Sequence, residues 1–169
     1  MDALQAILTR RSIRKYTQQA VSDEVIENLL KAAMSAPSAH NQRPWQFIVI
    51  RDRDKLNEIP NFHPYSQMLK SAPLAILVCG DKKALTAPDY WPQDCAAATQ
   101  NILLAAHASG LGAVWLGVYP DNNRQEKLRK LFALPTHIAP FALISIGYPA
   151  EEKPSVNRYD PDRVHYDQW

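Results

Sequence analysis

Apolar positions along the chain follow two periods, one helical and one of short continuous runs. Leu4, Ile7 and Leu8 share one face of a helix predicted over residues 2–9, with Asp2 in the capping position. Ser22, Asp23 and Glu24 supply a cap and an acidic first turn to a second helix. Its apolar face is Val25, Ile26, Leu29, Leu30, Ala33 and Met34, and Pro37 stops the pattern. Residues 46–50 and 74–79 are short, branched and apolar, as buried strands are, with a small helix predicted between them at 54–59. Further along, 113–118 and 141–146 are predicted as strands and 123–132 as an amphipathic helix.

The stretch 94–109 differs from these. It is small or apolar nearly all the way round, from Cys95 through the run of alanines, and Gly110 and Gly112 follow it. A helix with no broad polar face is covered on most sides, and alanines allow helices to approach closely. In a chain of 169 residues such coverage is easier if a second subunit supplies part of it. After Pro149 the sequence turns polar, proline-rich and aromatic, with Tyr159, Val164, Tyr166 and Trp169. Charge and proline favour an extended tail, but these side chains gain from burial. Residues 150–169 are therefore expected to form an arm lying on another surface, such as a partner subunit. Residues 1–169 thus read as one α/β (α+β) domain, whose body alternates strands and helices ahead of this arm.

Composition narrows the field. With 46% hydrophobic residues, 21% charged residues and a net charge of +2, the chain lacks the basic excess of a general nucleic-acid binder. No apolar run is long enough to span a bilayer, and no signal segment opens the sequence, so a cytoplasmic location is expected. Cys79 and Cys95 have no metal or redox spacing and are expected as buried thiols. Neither a phosphate-binding glycine loop nor a dinucleotide fingerprint is present; Gly110-Leu111-Gly112 is too short and follows a helix. No zinc motif or nucleophile elbow occurs, and no metal is expected.

Two segments carry candidate chemistry. In the run from Arg10 to Tyr16, Arg10, Ser12 and Arg14 point the same way if the chain is extended, and Arg11 points the other way. Neighbouring guanidinium groups repel unless an anion joins them, and their planar forks suit phosphate or an electron-rich heterocycle. Taken alone, the run also fits a solvated basic turn. The second segment, Pro37, Ser38, Ala39, His40 and Asn41, continues to Trp45 as a polar loop bounded by prolines. Such a loop presents donors to a flat, polar-edged ligand, and the Asn41 amide offers both a donor and an acceptor. His40 alone also fits a surface hydrogen-bonder.

These segments, the alanine-rich helix leading into Gly110–Gly117 and the tail from Asn157 to Trp169 together resemble the nitroreductase family of flavoproteins, in that family's order and across essentially the whole chain. The resemblance implies a three-layer sandwich, a mixed sheet flanked by helices, in an intertwined homodimer with FMN between the subunits. It implies that Arg10 binds the phosphate, joined by Arg158, with Lys153 as a further candidate. Arg11 falls in the same segment, while Ser12 and Arg14 lie near the ribityl chain and pyrimidine edge. Pro37, Ser38, Ala39, His40 and Asn41 would line the ring from the other subunit. Leu116 and Gly117 would bring backbone N–H groups to the flavin N5 and O4 atoms. No contact in 61–66 is assigned.

The implied activity is hydride transfer from NADH or NADPH through the flavin to a small aromatic acceptor such as a nitroaromatic, a quinone or a free flavin, in ping-pong fashion. No protein residue is catalytic in that scheme, since the flavin carries the chemistry. Arg14 would tune it by stabilising negative charge at the N1 and O2 edge. The alternatives are an FMN-binding storage or sensor module without efficient turnover, a relative that fragments flavin or removes halogens, and a basic-loop protein with no cofactor.

Overall fold

A computed structural model describes residues 1–169, with the side chain of Ala84 outside the described set. Its helices are α1 (Ala3–Thr9), α2 (Asp23–Met34), α3 (Arg53–Glu58), α4 (Trp91–Ala108) and α5 (Asn122–Leu131). Its strands are β1 (Trp45–Ile50), β2 (Leu74–Asp81), β3 (Gly112–Gly117) and β4 (Ile138–Gly147). Caps fall where the sequence places them. The Asp2 carboxylate accepts from Gln5 N at 2.8 Å, Ser22 Oγ from Val25 N, and Gly110 ends α4 with a φ of 76°.

The strands lie in the order β1-β2-β4-β3, and each neighbouring pair is antiparallel. The expected mixed character of the sheet comes down to one parallel bridge, between Ser12 and Ala113. β2 is buried along its length because each face of the sheet is covered. Leu74, Ile76 and Val78 join Ile144 and Ile146 against α2 and α4, through Leu29, Ala33, Ala98, Ile102 and Ala106. Ala75, Leu77 and Cys79 join Leu143 and Leu116 against α3 and α5, through Leu56 and Leu128. The result is three layers, helix–sheet–helix. Each fully buried Leu or Ile contributes about 1.5–3 kcal/mol by leaving water. Cys79 and Cys95 are free and buried, and burial pushes the Cys79 thiol up to about 12.

Two elements leave large apolar side chains uncovered in the protomer. In α1 only Ala6 is buried, while Leu4, Ile7 and Leu8 are exposed at 65%, 54% and 60%. The small Ala6 side chain lets α1 lie down on its neighbours, leaving the larger residues outward. The tail has no regular structure beyond a single turn at Pro161–Arg163, and Tyr159, Tyr166 and Trp169 stand exposed. Among the described residues no helix is long and apolar enough to cross a membrane.

Candidate functional site

Backbone pairing fixes the basic run in an extended form. Ile13 N donates to Ala113 O at 3.1 Å, Thr17 N to Tyr148 O at 2.9 Å, and Ala150 N to Lys15 O at 2.9 Å. The strand is seated by Ile13, which packs so tightly on Gly112 that a Cβ there would sit 2.6 Å from Ile13 Cγ2. The Tyr16 hydroxyl, in the core, donates to Ile13 O at 2.7 Å. With Ile13 and Tyr16 committed inward, Arg14 and Lys15 between them both face out.

Arg10, Arg11 and Arg158 line one cleft of about 510 Å³, with Thr9, Asn157 and Tyr159. Burial first, then the positive charges of Arg158 and Arg11, lower the pKa of Arg10. Among the described residues, the side chains of Arg10, Arg14 and Arg158 have no hydrogen bond or ion pair within the chain. Arg11 is occupied differently. Its Nε donates to Pro154 O at 2.9 Å and its Nη1 to Arg10 O at 2.6 Å, which ties the tail to the basic strand. Lys153 is also committed, donating to Ser12 O at 2.6 Å and pairing with Glu151 at 3.3 Å. The Glu151 carboxylate accepts in turn from Arg14 N at 2.5 Å. Of the cations named in the sequence, Arg10 and Arg158 thus keep their charge unspent over the cleft. Converging cations without a counter-charge suit a dianionic phosphate.

A second cavity, of about 480 Å³, is lined by Arg14, Trp115, Leu116 and Gly117 and, from the 64–68 segment, by Pro64, Tyr65, Gln67 and Met68. Gly117 is exposed at the end of β3, has no positive φ, and a Cβ added to it would meet nothing within 4 Å. The protein itself gives no steric reason for a glycine there. The open space lies where backbone could approach a flat ligand. Behind it, His63 Nε2 and Arg124 Nη1 each lie 2.9 Å from the Gly117 carbonyl oxygen. His63 is completely buried, and burial first of all lowers its pKa.

The 37–41 loop is built on a different principle. Ala39–Asn41 form a tight turn, and His40, Asn41 and Arg43 adopt positive φ values of 49°, 53° and 46°. For residues with side chains this backbone costs of order 1–3 kcal/mol each, so surrounding structure must hold it. The holder is Asp94, on α4 and 4% exposed, which accepts from Ala39 N at 2.9 Å and Gln42 Nε2 at 2.6 Å. Gln42 Oε1 accepts from Thr86 N and Ala87 N, and Ser38 Oγ accepts from Arg43 N at 3.0 Å. Pro37, His40 and Asn41 are left facing solvent. Neither cavity takes a residue from this loop.

The structure therefore gathers the sequence candidates into three groups: Arg10 with Arg158, Arg14 with Leu116 and Gly117, and the separate 37–41 loop. Ser12 sits between the first two, held by its bridge to Ala113. Sequence reasoning missed Asp94 and Gln42, whose roles depend on a contact across 52 positions. It also missed Trp115, His63 and Arg124, and left Pro64 and Tyr65 unassigned. An aromatic residue beside proline in a polar turn was the available signal for Tyr65.

Comparison with known proteins agrees with this architecture. The sequence matches the Nitroreductase family over residues 7–64 and 61–148. A protein of Methanothermobacter thermautotrophicus, assigned as an NADH dehydrogenase/NAD(P)H nitroreductase, is 54% identical over 169 residues, covering 100% of this chain and 88% of the relative. A crystal structure with the same assignment from Parabacteroides distasonis superposes with a TM-score of 0.94 at 43% identity, covering 99% of this chain and 98% of the other. A crystal structure from Desulfovibrio desulfuricans, described as a nitroreductase in complex with FMN, gives a TM-score of 0.86 at 36% identity, covering 100% and 98%. On the extent of these matches, the chain belongs to the nitroreductase family.

Proposed function

We propose that this protein is an FMN-dependent oxidoreductase that takes electrons from NADH or NADPH. The observation that carries this reading is the pair of unspent cations, Arg10 and Arg158, over a cleft on the same strand as the Arg14–Gly117 cavity. Two features fit FMN: a cationic cluster with no counter-charge for its phosphate, and open space over Gly117 for its ring. The names of the relatives, and the FMN complex of the Desulfovibrio desulfuricans neighbour, point to the same cofactor.

Arg10 and Arg158 hold the phosphate, and Ser12 and Arg14 follow it along the extended strand. Leu116 and Gly117 present main chain to the ring. Arg14 places an unpaired positive charge beside that cavity and stabilises negative charge that develops there; one charge-assisted hydrogen bond contributes on the order of 1.5–3 kcal/mol. FMN, when bound, supplies hydride acceptance from the nicotinamide and delivery to a quinone, nitroaromatic or flavin acceptor, one substrate leaving before the next arrives. Trp115, Met68 and Tyr65 give both flat substrates an apolar wall.

The chain works as a homodimer of single 1–169 domains. Pro37, Ser38, Ala39, His40 and Asn41 reach the partner's cavity, which explains why a loop so firmly braced serves neither cavity of its own protomer. The exposed Leu4, Ile7 and Leu8 and the apolar side chains of residues 150–169 then pack against the second subunit. The test is anaerobic mixing of flavin-loaded protein with NADH or NADPH, followed by turnover with a quinone. Bleaching of the flavin and sustained turnover are expected. Flavin binding without reduction by either nucleotide would favour a storage or sensor module instead.

A further inference from the structure

We infer that His63 and Arg124 are positioning residues that lock the Gly117 carbonyl away from the cavity and so set the peptide groups of residues 116–118 towards a bound ring. This rests on the flavin reading of the Arg14–Gly117 cavity. Gly117 is a glycine at a strand end, with open space on its exposed side, so its peptide planes have little steric restraint of their own. The ladder supplies part of the restraint, through the Gly117–Ala142 pairing and the bond from Tyr119 N to Phe141 O at 2.9 Å, and two side-chain donors add to it at the carbonyl. His63 Nε2 and Arg124 Nη1 approach the same carbonyl oxygen, each at 2.9 Å, from two different elements.

Each donor is itself braced. His63 follows a tight turn, its own N–H bonded to Ile59 O at 3.0 Å. The buried Ser66 donates to the His63 carbonyl from both its backbone N–H, at 3.1 Å, and its hydroxyl, at 2.7 Å. Arg124 stands in the first turn of α5, its Nε 3.2 Å from the Asp121 carboxylate and its guanidinium 5.6 Å from the centre of the Tyr65 ring. The tautomer of the imidazole follows from its partner. A carbonyl only accepts, so Nε2 carries a proton, and in the neutral ring Nδ1 keeps a bare lone pair.

That Nδ1 is buried and has no partner among the described residues. A buried nitrogen without a hydrogen bond is a cost that an apolar side chain of similar size would avoid. The chain bears it at the one place where the other ring nitrogen grips Gly117. Arg124, Tyr65 and His63 thereby join the wall of the cavity to the backbone at its floor, since Tyr65 also meets the His63 ring edge-on.

The test uses the full chain, with and without FMN, in four forms: His63→Leu, His63→Gln, Arg124→Met and the Leu/Met double variant. Amide hydrogen exchange in residues 116–118 is expected to accelerate roughly threefold to tenfold in His63→Leu and in Arg124→Met, with other segments unchanged. His63→Gln, whose amide nitrogen reaches the place of Nε2, should restore it. The double variant should weaken FMN and riboflavin by the same factor, roughly tenfold, because the phosphate end is untouched. Exchange and flavin affinities within twofold of the parent protein in a folded double variant would overturn the inference. Should His63→Leu fail to fold, Arg124→Met is judged alone on the same readouts. If the parent protein binds neither flavin, the cofactor reading falls, while the exchange data still decide the clamp.

Discussion

The basic strand at residues 10–16 and the loop at 37–43 are both held rigidly, by opposite means. In the strand, the backbone is relaxed and paired with β3 and the end of β4, while the charges are under tension, with Arg10 facing Arg158 and Arg11. In the loop the backbone bears the tension, with three side-chain-bearing residues at positive φ, and a buried carboxylate absorbs it. On the proposed reading, one segment is prepared for an anion. The other presents polar side chains from a fixed scaffold. Preorganisation of either kind is done during folding, so that a ligand does not have to do it.

If that contrast is right, substitutions in the two segments should fail differently. The largest effect is expected on ligand binding. Arg10→Ala combined with Arg158→Ala should raise the FMN dissociation constant by roughly a hundredfold or more, by fluorescence titration, with little change in thermal stability. Asp94→Ala should do the reverse. It leaves two donors unpaired near a buried position and should lower stability by about 2–3 kcal/mol, seen as a fall in Tm of roughly 4–10 °C. A smaller and mainly kinetic effect belongs to Arg14→Ala: flavin reduction by NADH or NADPH in stopped flow should slow by about tenfold, with a lesser change in affinity.

Helical and strand elements were legible because their apolar periods match their burial: the Ile26, Leu29 and Ala33 face of α2 and the continuous apolar run of β2 lie where the pattern puts them. The basic run was legible as a segment but not in its alternation: Arg11 shares the cleft of Arg10 while Arg14 lines the other cavity, because Ile13 and Tyr16, three positions apart, both turn inward. The loop's residues were legible but not its support, because Asp94 looks in sequence like an ordinary first-turn acid of a helix. His63 was invisible for a similar reason. Its significance is a hydrogen bond to a backbone oxygen 54 positions away, and main-chain atoms leave no mark in sequence. In α1 the period named the apolar face, but periodicity does not say what covers it, and Leu4, Ile7 and Leu8 stand exposed in the protomer.

Two smaller effects sharpen the contrast. Arg43→Gly relieves one positive φ at an exposed site and should stabilise the protein by about 0.5–1 kcal/mol in chemical denaturation. No matching gain should come from any glycine placed in the relaxed 10–16 strand. The least effect concerns acid. Burial, the opposing bond to Gly117 and the Arg124 charge leave the His63 pKa below its ordinary value of 6.5. The unfolded chain therefore takes up a proton first as pH falls. Stability should be flat above about pH 6.5 and decline below it, and His63→Gln should lessen that decline in urea titrations between neutral and mildly acidic pH, the remainder including His107, whose pKa burial also lowers.

The central claim is that Arg10 and Arg158 read a phosphate at the end of a flavin. Parallel titrations of the flavin-free protein with FMN and with riboflavin, which differ only in that phosphate, test it most directly. FMN should bind at least roughly a hundredfold more tightly, and the advantage should disappear in the Arg10→Ala/Arg158→Ala variant. Equal affinity for the two flavins, or an FMN preference that survives the double substitution, would contradict it.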